Sequence, residues 1–117
     1  MDESQSILTS IKKLLGIQEE YDQFDTDLII DINSVFMILN QLGVGPKDCF
    51  SIVDDNATWE DFLGTATNVN AVKTYMYMKV RLMFDPPTSS FLLSSMQELT
   101  RELECRLNYN VDPGEGG

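Results

Sequence analysis

The strongest constraint in this chain is the spacing of its apolar residues, which repeats at helical period in four separate stretches. Leu28, Ile32, Val35, Leu39 and Leu42 fall four, three, four and three apart. That is the seam of one helix from about Thr26 to Leu42, and Ile29 and Phe36 widen it into a core-facing stripe. Asp25 or Thr26 suits its cap, and Gly43 with Gly45-Pro46 stops it. Upstream, Ile7, Leu8, Ile11, Leu14 and Leu15 share one face of a helix from Ser4 to Leu15. Ser4 or Ser6 suits its N-cap, Gly16 the left-handed residue past its end, and Lys12 and Lys13 the negative end of its dipole. An acidic linker with Glu19, Glu20, Asp22, Asp25 and Asp27 joins the two helices.

A third helix is predicted from Asn68 or Asn70 to Phe84. Val69, Val72, Met76, Val80 and Met83 form its main apolar face, while Tyr75, Tyr77, Met78 and Leu82 lie elsewhere around it. Only Asn70, Lys73, Thr74, Lys79 and Arg81 interrupt the apolar surface. Such a helix needs cover on nearly every side, more than about four helices from one chain readily supply. Asp85-Pro86-Pro87 ends it, because the proline pushes the preceding residue out of helical conformation. A fourth helix follows from Thr88 or Ser89 to Asn108, with Leu92, Met96, Leu99, Leu103 and Leu107 as its seam and Glu102–Arg106 as an i, i+4 ion pair.

Residues 43–67 are irregular. Phe50 to Val53 reads as a short extended piece, and Thr58-Trp59-Glu60-Asp61 has the spacing of a capping box opening a single turn through Phe62 and Leu63. Trp59 and Phe62, three apart, form one apolar plug, seated either in the chain's own core or in a neighbouring subunit. The expectation is an all-α fold: a small bundle of about four helices with one long loop between the second and third, a helical domain over residues 1–108 and a flexible tail over 109–117.

At 117 residues the chain makes one domain, and its 43% apolar content belongs to a folded protein rather than a disordered one. Histidine is absent, which excludes Ser-His-Asp and Cys-His catalysis and imidazole metal ligation. Cys49 and Cys105 cannot make a four-thiolate zinc site and sit in no spaced motif, so they read as unpaired thiols. Neither acidic cluster, at Asp22–Asp27 or at Asp54-Asp55 and Glu60-Asp61, has the alternating oxygens and central glycine of a calcium loop. No cofactor, no metal and no enzymatic activity are expected. The acidic start, Met1-Asp2-Glu3, predicts no signal peptide, and no apolar run is long enough to span a membrane. Lys plus Arg number 8 against 19 Asp plus Glu, a net charge of −11 that argues against gripping nucleic acid by its phosphates.

The order of segments resembles a known family. Lys12-Lys13-Leu14-Leu15-Gly16-Ile17 closes the first helix; Phe24 to Ile30, Asn33 to Met37 and Leu42 to Pro46 follow; Lys73 to Lys79 runs on into Phe84-Asp85-Pro86-Pro87, and a last helix leads to Arg106-Leu107-Asn108. Together they are similar to the head–tail connector (adaptor, or head-completion) proteins of long-tailed bacteriophages. The resemblance implies a non-enzymatic virion protein at the head–tail interface, assembled in the host bacterial cytoplasm. It implies a ring of about twelve copies under the portal, joined by head-to-tail contacts that close. Such a ring extends the DNA channel without specific DNA binding and offers a platform to a downstream stopper or tail-completion protein. On this resemblance the C-terminal helix and tail dock on the portal, through Glu102, Arg106, Tyr109 and Val111. The residues expected to meet neighbouring subunits are Phe50, Trp59, Phe62, Tyr75, Tyr77, Met78 and Leu82. The charge suits a conduit, since carboxylates along a channel disfavour phosphate adsorption.

Three competing readings are weaker on the residues. A small terminase subunit needs a basic DNA-binding element, and Lys73, Lys79 and Arg81 point in different directions. An acidic regulator that mimics DNA needs its carboxylates in a track, whereas these are spread among caps and loops. A small enzyme has only the two dispersed acidic clusters to work with.

Overall fold

A computed structural model describes residues 6–64 and 69–111, the side chains of 109–111 excepted. Among them lie five helices and no strand: α1 (Ile7–Leu15), α2 (Asp25–Gln41), the single-turn α3 (Trp59–Leu63), α4 (Val69–Phe84) and α5 (Ser90–Val111). The expected all-α bundle with its long second loop is the observed fold.

The ends follow local chemistry. Ser6 caps α1 by accepting from the Thr9 N–H, and Gly16 closes it at φ 83° with its N–H on the last carbonyls. Ser4, the other candidate cap, lies outside the described residues. Thr58 and Asp61 form the complete capping box of α3. α2 departs from expectation: it starts at Asp25 behind Phe24, with no side-chain cap. Asp25 is engaged elsewhere, since its carboxylate pairs with the Lys12 ammonium at 2.9 Å. α5 continues three residues past the expected Asn108, to Val111. Residues 112–117 of the expected tail lie outside the described residues.

α4 is the central helix. It packs against α2 on one side and α5 on the other, with α1 across both α2 and α4. The core joins Ile7, Leu8 and Ile11 of α1, Leu28, Ile32, Val35, Phe36 and Leu39 of α2, and Val72, Tyr75, Met76 and Val80 of α4, closed at one end by Leu107 of α5. The chain covers α4 itself: Met83 is the one large apolar side chain of that helix left exposed. The expectation that one chain falls short of covering α4 is therefore corrected. The cover comes from α1, α2 and α5, which all pack on it.

The loop between α2 and α3 has no strand of its own, and scaffold side chains hold it in place. Asn33 clamps Ile52 at both ends, its Nδ2 donating to the Ile52 carbonyl at 3.0 Å and its Oδ1 accepting from the Ile52 N–H at 2.8 Å. Asn40 Nδ2 donates to the carbonyls of Pro46 and Lys47. Ser6 Oγ donates to the Asp55 carbonyl, and the Ile7 N–H to the Ala57 carbonyl. Gly45 adopts φ +92°, where an added Cβ would lie 2.4 Å from the Phe62 ring. Only glycine fits that conformation and that clearance.

Candidate assembly surfaces

Most of the residues expected to face a neighbour turn inward. Trp59 and Phe62 are buried, so of the two seats open to this plug the structure shows the core. The Trp59 indole N–H donates to Ser10 Oγ at 2.9 Å, and Lys73 Nζ lies 5.8 Å from the ring centroid. Phe62 stacks with Phe36 and Phe50 in a three-ring cluster with centroids 4.6–5.2 Å apart, and Phe50 is half-buried within it. Tyr75 has no exposed surface, and Met78 is buried as well.

Tyr75 ties α4 to α5. Its phenol donates to Glu104 Oε2 at 2.7 Å, and Lys79 Nζ stands 3.7 Å from the same oxygen. Burial first, then the hydrogen bond and charge of Glu104, raise the Tyr75 phenol far above its ordinary range, which keeps it a donor. Tyr77 is half-buried and accepts from Arg81 Nη1 at 3.3 Å. Leu82 is half-buried and reaches an open surface feature. With Lys79, Gln97, Thr100, Arg101 and Glu104 it lines a groove of about 470 Å³ between α4 and α5.

The expected portal-facing residues lie along the last turns of α5. Glu102 and Arg106 are exposed there, and the backbone of Tyr109 and Val111 continues the helix. α5 keeps Met96, Leu103 and Leu107 of its expected seam but is turned slightly about them. Met96, Thr100 and Leu107 are buried, with Leu93 and Leu103 half-buried, whereas Leu92 and Leu99 of the expected seam are exposed. Thr100 occupies a core position because its hydroxyl bonds back to the Gln97 carbonyl at 2.8 Å and needs no outside partner. This rotation leaves an outer apolar face that the sequence reading missed, headed by Phe91 at 80% exposure. Leu99 extends it along the helix, among the polar Ser94, Ser95, Glu98 and Glu102. The signal was available: Leu92 and Leu93 offer two alternative seams one residue apart.

A second missed surface is the linker between α1 and α2. Tyr21 and Phe24 are both partly exposed, in edge-to-face contact at 5.5 Å, and Phe24 meets Phe84 of α4 at 5.2 Å. Charge divides between the two parts of the molecule. Residues 6–64 carry eleven carboxylates against three cations, and residues 69–111 carry four against five.

Among the described residues no group of three or more His, Cys, Asp or Glu side chains is placed to hold a metal ion. None of the described helices is long and apolar enough to cross a membrane. Cys49 and Cys105 are exposed free thiols. These surfaces are suited to protein contact: apolar side chains set among charges, on helices held by a buried core. Neither a curated protein nor a solved structure matches the chain. The sequence pattern of phage connector proteins matches residues 7–114, all of the helical domain from α1 through α5. The chain belongs to the phage connector protein family.

Proposed function

We propose that this connector-type structural protein assembles as a ring beneath the portal of the DNA-filled head. In this reading about twelve copies join in head-to-tail contacts, matching the symmetry of the portal. The ring extends the DNA channel and offers its far side to a stopper or tail-completion protein. The observation that carries the reading is the family match across residues 7–114. Phe91, Leu92 and Leu99, exposed together on α5, support it, because apolar side chains grouped at a surface suit protein contact. The last turns of α5, with Glu102, Arg106, Tyr109 and Val111, are the portal-docking segment of the proposal. Carboxylates of residues 6–64 line the channel in this arrangement, and DNA slides past them unheld.

Heads prepared from phage lacking this protein provide the test. Added chain is expected to bind them at about twelve copies per head and to restore tail attachment. Heads that take up none, while binding other head-completion components, overturn the proposal.

A further inference from the structure

The ring requires a contact that repeats from one copy to the next. We infer that the acidic linker around residues 19–22 of one copy docks into the α4–α5 groove of a second copy. The inference rests on the ring reading and names its contact.

The linker is a preformed acidic strap. Lys12 is only 3% exposed and holds both ends, donating to the Glu19 carbonyl at 2.8 Å and pairing with Asp25 at 2.9 Å. Between those anchors Glu19, Glu20, Tyr21 and Asp22 all face solvent. A strap fixed at both ends loses little conformational entropy when it binds.

The groove offers the complementary chemistry. Lys79 and Arg101 stand with the half-buried Leu82 in a mostly polar groove that also holds Gln97, Thr100 and Glu104. Each cation has a carboxylate neighbour, Glu104 at 3.7 Å and Glu98 at 2.7 Å. Lysine has three N–H donors and arginine five, so both keep donors for a second carboxylate. Tyr21 is the aromatic side chain placed among the acids to meet Leu82.

The strap cannot reach the groove of its own chain. It is pinned to α4 through Phe24 and Phe84. Phe84 is two residues from Leu82, roughly 200° around the helix, so strap and groove lie on opposite sides of α4. The charge division then selects the geometry. Two copies meeting through residues 6–64 set acid against acid, whereas strap against groove sets a strongly acidic surface against the cations of the α4–α5 half. That contact is head-to-tail and leaves a free strap at one end and a free groove at the other, as a closed ring requires.

The test is a charge swap read by sedimentation of the full-length chain, up to about 1 mM at low salt. Arg101→Glu is expected to weaken self-association at least about tenfold, and Glu20→Lys with Asp22→Lys to do the same. All three changes in one chain are expected to restore association to within a few-fold of the original. Arg101, Glu20 and Asp22 are exposed, and circular dichroism on each variant checks the fold; Leu82→Ser probes the groove without changing charge. Association that is indifferent to either swap, or swaps that do not rescue one another, overturn the inference while leaving the ring reading to the head-binding experiment. A chain that stays monomeric throughout overturns the inference as well. Failure of the head-binding experiment alone, with the swap behaviour intact, removes the portal reading and leaves this contact standing.

Discussion

The indole N–H of Trp59 donates to the hydroxyl of Ser10 at 2.9 Å, linking residues 49 positions apart inside the core. The same Ser10 hydroxyl donates to the Ile7 carbonyl at 3.0 Å, so one side chain satisfies the indole while its own proton goes to α1. Trp59→Ala is expected to lower the unfolding free energy by about 3–5 kcal/mol through lost burial and a cavity. Ser10→Ala leaves the buried indole N–H without a partner and is expected to cost about 1–3 kcal/mol. Urea denaturation of both variants and of the double variant measures the coupling. Additive losses would show that the hydrogen bond contributes nothing of its own.

Gly45 and Gly16 both have positive φ, but only Gly45 faces a wall. Gly16→Ala is expected to cost about 1–2 kcal/mol, the penalty of a Cβ in left-handed backbone. Gly45→Ala adds a collision with the Phe62 ring and is expected to cost clearly more, by about 1–3 kcal/mol of overpacking. It should also disturb the Phe36–Phe50–Phe62 cluster, readable in the near-ultraviolet circular dichroism. Equal losses at the two positions would contradict the close approach.

Asp31 carries a pH signature. Burial, and then the Asp27 carboxylate one turn earlier, raise its carboxyl above the ordinary carboxylate value. A group whose folded-state value is raised contributes stability at pH below its unfolded value, and that contribution is lost as pH rises through the folded value. Asp31→Asn is therefore expected to raise Tm at about pH 7 and to be neutral at about pH 3. The like-charge part of this gain is small, on the order of 0.5 kcal/mol or less. Thermal melts across that range decide it, and a variant less stable at neutral pH would contradict it.

Phe91→Ser separates folding from assembly. The side chain is exposed, so the change is expected to leave stability within about 0.5 kcal/mol. On the assembly reading it should nonetheless reduce uptake by connector-deficient heads. A variant that melts normally and assembles normally would remove the outer face of α5 from any interface.

The fold was legible where local and global signals coincide. The α2 seam, the Thr58–Asp61 capping box, the Gly16 stop and the Asp85-Pro86-Pro87 break are each written in a few neighbouring residues, and the structure bears them out. What failed depended on partners distant in sequence. Nothing near Trp59 announces Ser10, and nothing near Asp25 announces that Lys12 takes the carboxylate from its capping role. The α5 seam holds at Met96, Leu103 and Leu107, while packing on α4 takes Leu93 and Thr100 in place of Leu92 and Leu99. The candidate interface suffered for the same reason. Residue type leaves both a core and a neighbouring subunit open to Trp59 and Phe62, and hydrogen bonds or ring neighbours inside the chain settle these two and Tyr75 inward.

Asn33, Asn40 and Ser6 grip the long loop by its main chain, at Ile52, at Pro46 and Lys47, and at Asp55. Every residue except proline presents the same amide, so these grips are blind to what the exposed loop positions carry outward. Ser51 and Val53, both exposed, can change identity while the path of the chain stays put. The molecule thus has a stretch of surface that can be re-lettered for a different neighbour without touching the frame that displays it.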